Sequence, residues 1–258
     1  MFTTQEKTLN KSGSVFEKEK KKGHSKTSPH RSKKIFMVIF ICLGCVLSLN
    51  LGTRIYFKDK VIGSAEWRTS NSQSYLYIDA EDSYSLGYLT GVKLWQEIWA
   101  LKLLLYTLAP LYHSSYSQLN EMAKNYIPFI PTEMLDEMRG ITHGASYASG
   151  FYISFEDILI QNVWYDVFYG RILPDSPGPM GCTAVGAVNA DNTTTIGQNF
   201  DLNPPFYSTL SFVLHKLGDK PAIFGLRLGG GLNLPMAKNE LNVSVLVTLV
   251  QSNVYANI

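Results

Sequence analysis

The sequence predicts an α+β domain preceded by one transmembrane helix. Three observations predict it. Residues 35–52, IFMVIFICLGCVLSLNLG, form an uncharged, mostly apolar run. From Asp79 to about Tyr169 apolar residues recur at helical spacing. After a loop rich in proline and glycine, the periodicity changes to that of strands. Helices first and a sheet afterwards is an α+β order.

Residues 1–34 hold ten Lys or Arg against three Glu; the rest of the chain holds 13 against 18. The basic character belongs to this tail, which is polar and predicts a disordered cytosolic segment rather than a nucleic-acid module. The apolar run that follows lies near the lower limit of about 17 residues for a span. Lys33 and Lys34 flank it on the N-terminal side, so the positive-inside rule predicts a signal-anchor at 35–52 and a type II single-pass membrane protein with a lumenal or extracellular domain. A cleaved signal peptide, giving a secreted or lysosomal protein, is the competing reading. The long n-region and the missing Ala-x-Ala pattern weigh against it.

Residues 53–78 read as a stalk leading into a first strand, and 79–258 as the folded domain. Its helical part and loop cover 79–181; its strand-rich part covers 182–258. SYSLGYLTGVKLWQEIWALKLLLY (83–106) predicts one long buried helix, because Lys93, Glu97 and Lys102 interrupt its apolar run. Residues 131–150 open with Pro131 and acids and close on Gly150, as a helix does. Residues 154–168 follow with Ser154 as N-cap. RILPDSPGPMG (171–181) then predicts an extended exposed loop. Two hairpins follow, turning at Asp191-Asn192 and at Gly218-Asp219, and LNVSVLVTLV (241–250) reads as a buried strand. The helices can cover one face of this sheet. The other face lacks a partner in the sequence, which predicts an incomplete architecture.

Cys42 and Cys45 fall within the apolar run, which leaves Cys182 as the one cysteine beyond it. A lone cysteine on the lumenal side is either buried and inert or reactive. The histidines offer no metal pair and the cysteines no zinc spacing, so no metal or cofactor is expected. A papain-like Cys/His pair would draw on His143 or His215, and nothing local supports it. Gly229-Gly230-Gly231 lacks a following Gly-Lys-Ser/Thr and reads as a flexible turn rather than a phosphate loop. Asn192-Thr193-Thr194 and Asn242-Val243-Ser244 are glycosylation sequons on the expected lumenal side.

Gly181-Cys182-Thr183 suits another chemistry. If the bond before Cys182 is cut, the new α-amine, with a pKa of about 7.7–8, lies within one residue of the thiol and can act as its base. Such a reaction asks for a small preceding residue, an exposed loop before the nucleophile and a rigid strand after it. Gly181, the loop and the strand from Cys182 supply all three.

Gly181-Cys182-Thr183, a hairpin, then Gly197-Gln198-Asn199-Phe200-Asp201 resembles the acyl-CoA:6-aminopenicillanate acyltransferase family (peptidase C45 type). These are N-terminal nucleophile enzymes related to choloylglycine hydrolases and acid ceramidases. Residues 137–162 and 234–250 resemble it as well, so the likeness covers about 80–255. It implies an αββα N-terminal nucleophile (Ntn) hydrolase fold, autoproteolysis at Gly181–Cys182, and Cys182 as nucleophile. It implies that Asp201 orients the freed amine and that Gln198 and Asn199 form the supporting turn. Gln198 stands where bile-salt-type relatives carry Arg, which implies the acyltransferase-like branch. The implied substrate is a small acyl amide, an acyl-CoA or a lipid, with no nucleic acid involved. Asn242 stands where the family has Gly, and the family's later active-site Asn and Arg have no counterpart before Ile258. Two other readings follow: an inactive membrane-tethered binding protein, and a phospholipase-B- or ceramidase-like lipid hydrolase.

Overall fold

The computed structural model describes residues 61–168, 182–202 and 204–247. Strands β1 (Gly63–Ser70) and β2 (Gln73–Ala80) form a hairpin. Five helices follow: α1 (Ser83–Lys93), α2 (Trp95–Leu111), α3 (Tyr116–Lys124), α4 (Thr132–Ser149) and α5 (Phe155–Val167). Then come β3 (Cys182–Val188), β4 (Thr194–Phe200), β5 (Leu210–Leu217), β6 (Ile223–Leu228), β7 (Met236–Asn239) and β8 (Ser244–Leu246).

The main sheet has six strands in the order β1-β2-β5-β6-β7-β8. All neighbours are antiparallel except β2 and β5, which run parallel with Leu76 beside Val213 and Ile78 beside His215. β3 and β4 form a separate two-stranded sheet. The fold is thus mixed α/β around one six-stranded sheet, and the expected αββα sandwich is corrected. The physical reason lies in the pairing. The first hairpin adds to β5 through a parallel contact, so 63–80 enlarges the main sheet, and the hairpin from Cys182 stays outside that sheet.

The expected transmembrane helix before the domain is corrected too. No helix among the described residues is long and apolar enough to cross a membrane. The longest apolar one, α2, spends its apolar face on the core, with Ile98, Leu101, Leu105 and Ala109 buried, and it carries Glu97 and Lys102. The single-pass membrane placement therefore has no support in the structure. The 35–52 segment itself, like the 1–34 tail, lies outside the described residues.

Local chemistry explains most helix ends. Asp82 caps α1 by accepting from Ser85 N at 2.7 Å. Reciprocal capping boxes open α3 (Ser115 with Gln118) and α5 (Ser154 with Asp157). Pro131 precedes α4, and Gly150 closes it at φ 73°, a left-handed value that favours glycine. The run expected as one helix breaks at Leu94, whose φ and ψ of −113° and 24° leave the helical region.

The helix layer covers one face of the sheet. Leu76, Ile78, Ala80 and Val213 from the strands meet Leu86, Ile98, Leu101, Ile141 and Ile158 from the helices, all fully or almost fully buried. α1 and α4 touch backbone to backbone. A Cβ added to Gly87 would overlap the carbonyl of Glu137, and one on Gly144 would overlap that of Tyr88. The opposite face of the sheet carries an aromatic cluster in which Phe224 stacks on Phe212 and meets Tyr75 edge-on.

Candidate functional site

The candidate site is built on the β3–β4 hairpin. Its turn is held by Asn189 N donating to Thr193 O at 2.8 Å and by the Asp191 carboxylate accepting from Thr193 N and Oγ1 at 3.0 and 2.6 Å. Those hydrogen bonds hold the Asp191 carboxyl below the usual range. Asn192 takes φ 62° in this turn and is exposed, and Asn242 takes φ 63° in the exposed turn before β8. Both sequon asparagines therefore sit at turn positions, whereas the sequence reading put Asn242 at the opening of an apolar strand.

Cys182 is the first residue of β3 and its free thiol is half-buried. The register sets Cys182 opposite Phe200, Thr183 opposite Asn199 and Ala184 opposite Gln198. Side chains alternate across a strand, so Cys182 and Gln198 share one face of the hairpin, and Thr183 and Asn199 point to the other. Asn199 Nδ2 donates to Asp201 Oδ1 at 2.7 Å. Asp201 is exposed and lies one residue past the end of β4, whose last pair sets Phe200 opposite Cys182. Gly181 and the loop before it fall outside the described residues.

Gln198 has a larger part than a supporting turn. Its Nε2 donates to the carbonyl of Val247, which ties the hairpin to the chain just past β8. Its Oε1 is buried without a hydrogen-bond partner among the described residues. A buried amide oxygen with no donor is costly, which makes it a ready acceptor on the thiol's face.

The histidines occupy other elements. His143 lies on α4 with its Nδ1 2.9 Å from Tyr84 Oη, and burial holds its imidazole below the ordinary value. His215 lies on β5, on the face that meets the helices. Burial, then the neighbouring Arg227, pushes it down to about 4. Its Nδ1 is buried without a partner among the described residues. The strand pairing that sets Gln198 on the face of Cys182 brings neither histidine to it. No group of three or more His, Cys, Asp or Glu that could hold a metal occurs among the described residues.

Two polar clusters escaped the sequence reading. Gln161 Oε1 accepts from Gly230 N and Asn162 Oδ1 from Leu232 N, both at 2.7 Å. The triple-glycine turn is therefore buried and clamped to α5 rather than flexible. Adjacent amides in the middle of an apolar run, Ile158 to Trp164, were the available signal. In the second cluster, Asp157 takes hydrogen bonds at 2.8 Å from Lys102 Nζ, Tyr116 Oη and Ser154 N. Burial raises this carboxyl, yet the three donors outweigh burial and hold it below the usual range. The same burial and carboxylate push the Tyr116 phenol up.

No family model matches the chain. Membership of a hydrolase or peptidase family, expected from the motif at 181–201, thus has no support from that comparison. The chain is similar to a protein of Archaeoglobus fulgidus described only as uncharacterized, with 27% identity over 111 residues. That match covers 39% of this chain and 18% of the archaeal protein's own length.

Proposed function

We propose that the chain performs acyl transfer at an amide bond, with Cys182 as the nucleophile once the Gly181–Cys182 bond is cut. The observation that carries this reading is the hairpin end. There a half-buried free thiol opens β3, and the Asn199–Asp201 pair stands at the end of the partner strand.

In the maturation step the Cys182 thiol adds to the Gly181 carbonyl and the peptide C–N bond breaks, giving a thioester and a free α-amine. Water then releases Gly181 as a carboxylate. In turnover that amine takes the thiol proton and the thiolate adds to the substrate carbonyl. The departing amine receives the proton, and an acceptor amine or water resolves the thioester. Asp201 positions the α-ammonium from the strand end. The Gln198 carboxamide stands on the same face of the hairpin as the thiol, two positions along the register. Small acyl amides, acyl-CoA thioesters and lipid amides are the substrate classes this chemistry admits.

The test is the intact mass of the full chain and its pattern on a denaturing gel, wild type against Cys182→Ala. Two fragments meeting at Gly181/Cys182 in the wild type and one chain in the variant support the reading. One uncut chain in both would remove the amine base, and with it this mechanism.

A further inference from the structure

We propose that the free edge of β1 joins two copies of this chain strand to strand, about a twofold axis through Trp67. Among the described residues β1 is one of the two outermost strands of the six-stranded sheet and has no partner on its outer side, and all its residues except Ala65 are exposed. Edge strands are normally blunted by proline, a bulge, charged side chains or a covering segment. β1, GSAEWRTS, has no proline, pairs with β2 without a break in register from Gly63 to Ser70, and carries two charges of opposite sign, Glu66 and Arg68, which protect the edge only against a strand that sets like charges beside them.

The backbone is in phase for such pairing. The hairpin closes through the two-residue turn Asn71-Ser72, both with positive φ, 48° and 64°. Such a turn makes the flanking pair, Ser70 with Gln73, a hydrogen-bonded one. At the other end Glu81 N donates to Ile62 O. Even-numbered residues therefore spend their amides and carbonyls on β2. Those of Gly63, Ala65, Trp67 and Thr69 face the open edge.

The side chains select one register. A second β1 laid antiparallel with Trp67 opposite Trp67 pairs Ala65 with Thr69 through outward-facing groups. It also sets Glu66 of each copy directly opposite Arg68 of the partner subunit. Registers centred on Glu66 or on Arg68 would set like charges face to face instead. The contact is isologous, as a closed dimer requires. Its charges are already arranged: Arg68 Nη2 lies 2.6 Å from Glu66 Oε1, and its guanidinium sits 3.6 Å above the Tyr77 ring. Trp67, on the helix side of the sheet and 49% exposed, would meet its twin across the axis.

The test is sedimentation equilibrium of the full chain with a charge-swap series. The wild type should dimerise, and Glu66→Arg or Arg68→Glu alone should each weaken the dimer roughly tenfold or more by facing like charges. The two single variants mixed together should regain a heterodimer, and the double swap should regain the homodimer. Both positions are exposed, and unchanged circular dichroism would show that the variants fold. A wild type that stays monomeric at about 100 µM, or a dimer indifferent to the swaps, would overturn the proposal.

Discussion

Acid should loosen the contact between the main sheet and its helices through one side chain, His215. The imidazole faces the helices from β5, with the Arg227 guanidinium nearby on β6 and Nδ1 unpartnered among the described residues. Protonation would put a second cation beside a buried one, and burial with Arg227 holds the imidazole down to about 4 from 6.5. At about 1.4 kcal/mol per pH unit, that difference sets a ceiling of about 3.5 kcal/mol, of which about 3 kcal/mol is lost by pH 4. The sign follows from linkage. Above pH 6.5 neither state binds the proton, and the full contribution is present. Between 6.5 and 4 the unfolded chain takes a proton that the native chain refuses, so stability falls as pH falls. Below 4 both states hold it and the loss stops. The perturbation is His215→Leu, which removes the titration. The assay is urea unfolding of both full chains at pH 7, 5.5 and 4. The wild-type stability, less that of the variant, should drop by up to about 3 kcal/mol between pH 7 and 4. An unchanged difference across that range would refute the reasoning.

Other predictions follow from contacts already described. Gly144→Val should cost about 3 kcal/mol or more, because its Cβ would overlap the Tyr88 carbonyl across the α1–α4 contact; Gly186→Val, with open space about it, should be nearly neutral, and paired thermal melts would check both. Asp157→Asn should cost about 2–4 kcal/mol in urea unfolding, because it leaves the Lys102 ammonium, mostly withdrawn from water, without its counter-charge. Asp201→Asn should keep the fold, since the residue is exposed, and slow turnover of a model acyl amide roughly 10–100-fold by disordering the amine. Unaltered single-turnover kinetics in that variant would remove Asp201 from the mechanism.

What the sequence shows of this fold depends on the distance over which each contact acts. The hairpin at Asp191-Asn192 and the one at Gly218-Asp219 are both present, because turn chemistry is local. Ser154 and Gly150 act as the caps expected of them. The β1–β2 hairpin was hidden because its turn is Asn71-Ser72, and serine is a weak signal for a left-handed turn position. No glycine or proline announces the helix break at Leu94. The run 241–250 predicted a buried strand, but within its described part β8 is short, lies at the far edge of the sheet, and leaves Val243, Val245 and Val247 about half exposed. The candidate site divides the same way. Cys182 and Asp201 could be related because one hairpin carries both. That Gln198 shares the thiol's face, or that Arg227 reaches Glu137 at 2.7 Å beside His215, depends on strand register and on long-range packing that composition does not encode.

The parallel junction of β2 with β5 also constrains how the protein is made. β2 leaves the ribosome early, yet its partner is completed only at Leu217, after every helix has been synthesised. Until then the first hairpin and the helical layer must wait with Leu76, Ile78 and Ala80 uncovered on their strand side. Closing so large a loop is slow by nature. The nascent hairpin therefore exposes the edges of both β1 and β2, where the finished domain covers that of β2 with β5. Its yield in cells should depend on holdase capacity during elongation more than on the stability of the completed fold.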